Sequence, residues 1–235
     1  MPVAALAGMA IPACECASVP VGQSLMRRGV VPSHALVFLL ASPAINPVVL
    51  VATAVAFNGN PMMVWARFAA SLAAACMVGW IWMRVRFTID GVADDACGHH
   101  HHRSWEAFRI TAVQDFLQAC GFLVIGAAIA ALIKVAVPES ALSVVTGNVW
   151  LGVAMMVLLA VVMSLCSEAD AFVAASFVGV SPIAQLVFMV VGPMVDIKLV
   201  FMQAGAFGWR FVLRFVPLVL VAAVLSAVGV GIALL

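Results

Sequence analysis

The residues that could carry chemistry lie in two short polar segments between apolar stretches. The first, Cys14-Glu15-Cys16-Ala17-Ser18-Val19-Pro20, places two thiols and a carboxylate within three residues. Thiolates are soft ligands suited to copper(I), zinc or trivalent arsenic-like species, and an intramembrane carboxylate can neutralise a cargo or carry a proton. Cysteines also pack as small hydrophobes, so the thiols fit either role. Glu15 favours function, because carboxylates at membrane depth are costly.

The second segment, Cys166-Ser167-Glu168-Ala169-Asp170, carries two carboxylates two residues apart. On a continuous helix Glu168 and Asp170 would face different directions, which favours a local break or a polar cavity. Two acids this close suit a proton-coupled step. The alternative is the end of an interfacial helix, with both acids in water.

Two proline breaks interrupt long apolar stretches, one at residues 41–47 and one at residues 191–198. Pro43 and Pro193 each remove an amide donor and free carbonyls about one turn earlier. Asn46 and Asp196 can then line the gaps, and freed carbonyls are ready contacts for an ion or a substrate. The alternative is a plain kink in which Asp196 pairs with Lys198.

A histidine run, His99, His100, His101 and His102, follows Cys97 in the most polar part of the chain. Such a run can collect zinc, copper or nickel, but it lacks the spacing of a structural zinc site. A flexible loop that binds metal weakly is the simpler interpretation. The sequence contains no phosphate-binding glycine loop and no zinc-protease motif, so ATP-driven pumping and proteolysis lose their usual support. We expect no cofactor.

The elements that must position these residues are apolar helices. Of 235 residues only 21 are charged (11 basic, 10 acidic), 66% are apolar and the mean hydropathy is +1.22. These values exclude an ordinary soluble domain and predict an all-α, polytopic helical membrane protein with Pro-broken helices. A net charge of +1 favours no nucleic acid. The expected partners are the lipid bilayer and a small solute or ion. Apolar stretches run at about 17–27, 33–57, 62–83, 110–133, 148–165, 171–178, 182–207 and 211–234.

The chain also matches itself at a shift of 150 residues. Five of nine residues in 30–38 are identical to those in 180–188, and the same shift pairs Pro43 with Pro193 and Asn46 with Asp196. Paired interruptions in two halves are a pointer to a transporter binding site. We therefore expect two related membrane repeats, residues 1–83 and 110–235, joined by a His-rich cytoplasmic linker at 84–109.

The repeat predicts an asymmetry at the beginning of the chain. The second half has a helix at 110–133 before its polar segment, whereas the first half has only residues 2–13 before Cys14. The first repeat is thus expected to be incomplete at its N-terminus, as a truncated frame or an internal start would make it.

With its Cys-Glu-Cys-Ala-Ser-Val-Pro segment, its Ser42-Pro43-Ala44-Ile45-Asn46-Pro47 break and the counterparts at 166–172 and 192–198, the sequence resembles the bacterial predicted permease family that includes the ArsP organoarsenical exporters. The likeness covers nearly the whole chain except the His-rich linker. It implies an integral, multi-pass permease of the inner (plasma) membrane with two related halves, and it leaves the cargo open.

The leading hypothesis is a secondary transporter, not an enzyme, that exports a small and thiophilic solute such as an arsenical or a soft metal. Its path residues would be Cys14, Glu15, Cys16, Ser18, Pro43, Asn46, Cys166, Glu168, Asp170, Pro193 and Asp196. The alternative is a membrane-embedded thiol/disulfide enzyme that uses Cys14 and Cys16, although their C-x-C spacing is not the common C-x-x-C. A third hypothesis is a metal-responsive regulator that uses the histidine run. The oligomeric state stays open.

Overall fold

The computed structural model describes residues 15–85, 113, 117, 149–177 and 179–235, with the side chain of Cys16 excepted. This part of the chain is helical and contains no strand, which confirms the all-α prediction. The 110–133 stretch and the linker lie outside it, apart from two single residues. In chain order the helices are α1 (Glu15–Arg27), α2 (Pro32–Ala44), α3 (Pro47–Ala56), α4 (Pro61–Val85), α5 (Val149–Met163), α6 (Ala169–Ser176), α7 (Pro182–Val191), α8 (Ile197–Phe207) and α9 (Trp209–Leu234).

Prolines set where several of these helices begin. Pro32, Pro47, Pro61 and Pro182 each occupy the first helical position. Proline suits that position because its fixed φ is already helical and its missing N–H would have had no partner there. The sequence therefore places the beginnings of four helices directly.

Two long apolar stretches are each split into a pair of half-helices. Ile45 and Asn46 separate α2 from α3, and residues 192–196 separate α7 from α8. Each second half-helix has a side-chain cap: Asn46 Oδ1 accepts from the Val49 amide at 2.9 Å, and Asp196 Oδ1 accepts from the Leu199 amide at 2.6 Å. The caps satisfy amides that the breaks would leave without partners.

Packing between the helices crosses from one half of the sequence to the other. The polar-segment helix α1 packs on α2 and on α8, while α6 packs on α7 and on α3. The long helices α4 and α9 pack on each other and on α7, and α4 also packs on α2. Gly231 allows a close approach of α9 to α7, since a Cβ there would lie 3.2 Å from Ile183 Cγ1. The half-helices α2 and α7 are thereby the most enclosed elements.

Three helical stretches in the described part are long and apolar enough to cross a membrane, as judged by length and composition: Pro32–Ala56, Pro61–Val85 and Trp209–Leu234. The outer side of α9 exposes Leu213, Val221, Leu225 and Ile232, as lipid-facing helices do. By contrast, α6 with 8 residues extends for only about 12 Å. It is too short to span a hydrocarbon core of about 30 Å.

Candidate functional site

Five charged side chains are buried among the residues that the structure describes. Glu15, Arg67, Asp170 and Asp196 are at most 1% exposed, and Lys198 is 7% exposed. A charge at this depth is costly unless it is paired and hydrogen-bonded. The five residues form two clusters, one around Arg67 and one around Lys198.

The Arg67 cluster joins α4 to α6 and α3. Arg67 Nη2 donates to both carboxylate oxygens of Asp170, at 2.8 and 3.0 Å, and to the backbone carbonyl of Ser167 at 3.0 Å. Arg67 Nη1 donates to Thr53 Oγ1 at 2.7 Å, and that hydroxyl donates to the Val49 carbonyl at 2.8 Å. The cluster has one positive and one negative charge at close range, so it is electrically balanced.

The Lys198 cluster joins α8 to α1 and is looser. Lys198 Nζ lies 3.3 Å from Asp196 Oδ2 and 3.9 Å from Glu15 Oε2. Both of these oxygens are buried, and beyond these contacts with Lys198 no described residue hydrogen-bonds to either of them. The other oxygen of each carboxylate is satisfied by a backbone amide: Glu15 Oε1 accepts from Ser167 at 2.8 Å, and Asp196 Oδ1 caps α8. Two carboxylates therefore face one ammonium group.

Ser167 connects the two clusters. Its amide donates to Glu15 of the Lys198 cluster, and its carbonyl accepts from Arg67 of the other cluster. The residue lies in the turn before α6, so the backbone of the second polar segment touches the first polar segment directly. The contact between Glu15 and Ser167 therefore brings the two polar segments together.

The α7–α8 break lies against the Arg67 cluster. Gly192 is its first residue, and a Cβ added there would lie 3.6 Å from Asp170 Oδ2 and 3.3 Å from the Phe188 carbonyl. Ser164, with a left-handed φ of 47°, accepts from the Ile197 amide at 3.2 Å and donates to the Val161 carbonyl. The break is thus held between the end of α5 and the beginning of α6.

The other residues predicted for the site have varied surroundings. Ser18 is buried and donates to the Glu15 carbonyl at 2.8 Å. Pro43, Asn46 and Pro193 are buried at the two breaks, Glu168 is half-buried, and Cys166 is exposed. Cys14, the Cys16 side chain and His99, His100, His101 and His102 lie outside the described residues. Within those residues no group of three or more His, Cys, Asp or Glu side chains could hold a metal ion.

Two simpler alternatives can be compared with this geometry. The interpretation of residues 166–170 as a solvated helix end is wrong for Asp170, which is 1% exposed because it turns inward to Arg67. The pairing of Asp196 with Lys198 is present, but the same ammonium group also faces Glu15 from another helix.

Sequence reasoning missed Arg67, Thr53 and Ser167. Arg67 lies inside the apolar stretch 62–83, and we treated that stretch as a plain span. A basic residue surrounded by apolar neighbours was itself a signal, because ionisable groups at membrane depth are rarely without function. Thr53 and Ser167 gave no comparable signal, since isolated hydroxyls are common in membrane helices.

Comparisons with known proteins agree with a membrane transport role. The family described as "Predicted permease" (ArsP_1) matches residues 1–232. "UPF0718 protein YcgR" of Bacillus subtilis (strain 168) is 36% identical over 226 residues, which are 92% of this chain and 76% of the relative. A Streptococcus mutans serotype c protein named "Putative two-component membrane permease complex subunit" is 33% identical over 220 residues, 89% of this chain and 72% of that protein.

No solved structure matches the chain. The family match nevertheless covers both polar segments, both breaks and all five buried charges. It also agrees with the resemblance that the paired motifs indicate. The chain is a membrane protein and belongs to the predicted permease family.

Proposed function

We propose that this chain is a multi-pass secondary transporter of the inner (plasma) membrane, in which a small solute or ion passes between the two broken spans. The observation that carries the proposal is the joined pair of buried charge clusters at those breaks. Unwound backbone at membrane depth is tolerated where it is enclosed by protein or lines a cavity. Buried charges in such a place are usual in transport pathways.

The contacts between halves support the proposed division into two repeats, 1–83 and 110–235. Both ion-pair clusters join a residue of the first to a residue of the second: Arg67 to Asp170, and Glu15 to Lys198. The packing of α1 on α8 has its counterpart in the packing of α6 on α3. In transporters of this kind, one repeat moves against the other around a fixed central site. Ion pairs that cross the boundary would then be made and broken during transport.

The proposed path contains the residues that the sequence indicates and, in addition, two basic side chains. Arg67 and Lys198 are added to Cys14, Glu15, Cys16, Ser18, Pro43, Asn46, Cys166, Glu168, Asp170, Pro193 and Asp196. An anionic or polar solute could contact the bases when their carboxylate partners are displaced. The short helix α6 would be a part of the path that does not cross the membrane.

We further propose export of a thiophilic solute, in which cysteine thiols of the polar segments contact the cargo. Cys166 is exposed and directly precedes Ser167, which links both clusters. The thiol/disulfide enzyme is the weaker hypothesis, because the matched family is described as a predicted permease and one relative is named as a membrane permease complex subunit. The buried groups around the polar segments are also charges. An ion gradient or a partner chain supplies the energy.

A resistance and accumulation assay tests this proposal. Cells that express the chain are exposed to a panel of inorganic arsenite, organoarsenicals, cadmium, copper and silver, and their content of each element is measured. We expect cells that express the wild type to accumulate less of at least one compound than cells without the chain. This reduction should be lost in Asp170→Asn and kept in Arg28→Gln, which removes an exposed charge outside the clusters. Membrane levels of both variants are measured by blotting.

Unchanged accumulation across the whole panel would contradict export of a soft cargo. Equal accumulation in cells with the wild type and with Asp170→Asn, at equal membrane levels, would contradict the assignment of the path to the buried clusters. These two results are separable, because the second needs only one transported compound.

A further inference from the structure

The Lys198 cluster carries one negative charge more than its bases balance among the described residues. Glu15 and Asp196 contribute two carboxylates, and the ammonium group of Lys198 is 3.3 Å from one and 3.9 Å from the other. Glu15 Oε2 and Asp196 Oδ2, the oxygens that face it, are buried and accept no hydrogen bond from any other described residue. Two buried carboxylate oxygens that share one ammonium group form a binding position for one further positive charge.

The charged groups of the surrounding helices do not supply that charge. On α2 the ionisable residue is His34, in the first turn, whereas Glu15 lies level with the last turn of that antiparallel helix. On α9, Arg210 and Arg214 are exposed and near the end of α8 that is far from Lys198. Arg67 is engaged by Asp170, and the remaining acid nearby, half-buried Glu168, adds negative charge.

A proton fits this position better than a metal ion. Sodium and other hard cations need several oxygen ligands, and the described residues contain no group of three acids, histidines or cysteines that could hold a metal. An ammonium group at 3.3–3.9 Å would also repel a bound metal ion. A proton instead adds to one carboxylate oxygen and needs no ligand shell.

We propose that Glu15 is the proton-coupling site of the transporter, and that Asp196 and Lys198 keep it ready to exchange a single proton; this rests on the function proposed above. A proton from the aqueous phase adds to Glu15 Oε2, and the charge of the cluster changes from −1 to 0. Lys198 then stays with Asp196, its closer partner. The ionic contact between α1 and α8 is lost, and the neutral bond from Gln23 Nε2 to the Ala206 carbonyl remains.

Infrared difference spectroscopy of the purified full-length protein in lipid nanodiscs tests the site without a known cargo. During a pH titration between about pH 8 and pH 6, where ordinary exposed carboxyl groups stay ionised, the carbonyl stretch of a protonated carboxyl group should appear as the pH falls and should be absent in Glu15→Gln. The matched control Glu168→Gln should keep the band. A titrating band that persists in Glu15→Gln, or no titrating band in the wild type, would overturn the proposal.

Asp196→Asn gives a second and less obvious expectation. Asparagine keeps the oxygen that caps α8, but it leaves Lys198 with Glu15 as its only carboxylate in the cluster. The charges then balance, so Glu15 stays ionised and the band should disappear although the residue is unchanged. Thermal unfolding of each variant checks that it is folded. A band of undiminished size in folded Asp196→Asn would overturn the claim that Glu15 takes up its proton because Asp196 adds a second negative charge beside Lys198.

Replacing choline chloride by sodium chloride at constant pH separates the proton from a metal ion. The band should not change, whereas its loss on addition of sodium would show that a metal cation competes for the position and would overturn the assignment to a proton. The spectrum does not depend on transport. A Glu15-dependent band in a protein that exports none of the tested compounds would therefore contradict the proposed cargo and leave the proton site standing.

Discussion

The two buried charge clusters join the same halves of the chain, yet they differ in how their charges balance. Around Arg67 one cation meets one anion at 2.8 Å, with a hydroxyl and a carbonyl as further acceptors. Around Lys198 one cation serves two anions, and the longer contact is 3.9 Å. A charge-balanced ion pair with several hydrogen bonds stabilises one arrangement of the helices. A cluster with an excess charge and a long ionic contact exchanges its partners more readily. The Arg67 cluster thus suits a fixed structural contact. The Lys198 cluster suits a site that gains and loses a proton.

Removing Arg67 should have the largest effect on stability. Arg67→Met leaves the Asp170 carboxylate buried without its partner, and we expect a loss of about 3–5 kcal/mol in the free energy of unfolding. The double variant Arg67→Met/Asp170→Leu should recover most of it, because an apolar pair leaves no charge unpaired. Denaturant unfolding in detergent measures both. Equal losses in the single and the double variant would contradict the role of Arg67 as the partner of a buried charge.

Thr53→Val tests how much the hydrogen bonds around Arg67 contribute. Valine is close to threonine in shape but removes the acceptor at 2.7 Å from Arg67 Nη1, so one charged donor is left unsatisfied. We expect a loss of about 1.5–3 kcal/mol in the free energy of unfolding. Thr53→Ser keeps the hydroxyl and serves as the control. A serine variant as unstable as the valine variant would attribute the effect to packing.

Two substitutions of Asp196 separate its cap from its charge. Asp196→Ala removes the oxygen that accepts from the Leu199 amide, whereas Asp196→Asn keeps an acceptor there. The alanine variant should be less stable than the asparagine variant by about 1 kcal/mol, the usual value of a helix N-cap. Unfolding curves of the two variants give this difference. No difference between them would mean that the cap does not stabilise α8.

Neutralising Glu15 should cost little, in contrast to the loss of Arg67. Glu15→Gln keeps an oxygen for the Ser167 amide and leaves Lys198 paired with Asp196. We expect a change of less than about 1 kcal/mol in the free energy of unfolding, because the group that disappears is the unbalanced charge. Thermal unfolding compares it with Asp170→Asn, which should be clearly less stable. Equal losses of stability in Glu15→Gln and Asp170→Asn would contradict the contrast between a fixed contact at Arg67 and a proton-exchanging site at Lys198.

The smallest effect on stability is expected for Cys166→Ser. The side chain is exposed, so the free energy of unfolding should stay within about 0.5 kcal/mol of the wild type. If the thiol contacts a soft cargo, cells with this variant should accumulate more of the exported compound than cells with the wild type. Accumulation equal to that of the wild type would exclude Cys166 from the cargo contacts.

The sequence predicts the helices well because proline and apolar length act locally. Pro32, Pro47 and Pro182 begin helices where the sequence indicates them, and both predicted breaks occur. The all-α membrane fold and the permease family are confirmed. The two-repeat division and the roles of the site residues stay predictions.

Charge partners were harder to foresee, because they depend on how distant helices pack. Nothing near Arg67 in the sequence names Asp170, which follows 103 residues later. The sequence does show Lys198 two residues from Asp196, but its second partner Glu15 is on another helix of the other half. Hydrophobic pattern decides which segments are helical, and only the packed structure decides which buried charges meet.

The positions of the two breaks along their spans have an electrical consequence. At 1.5 Å per residue, the 13 residues of α2 and the 10 residues of α3 extend for about 20 and 15 Å, and α7 and α8 for about 15 and 17 Å. Each break therefore divides its span near the middle. A unit charge gains about 2.3 kcal/mol per 100 mV across the whole membrane. In the proposed transporter both broken stretches cross the membrane, so a charge that reaches either break has crossed about half of that potential difference. Movement of any charged species to this depth makes the rate of transport depend on the membrane voltage.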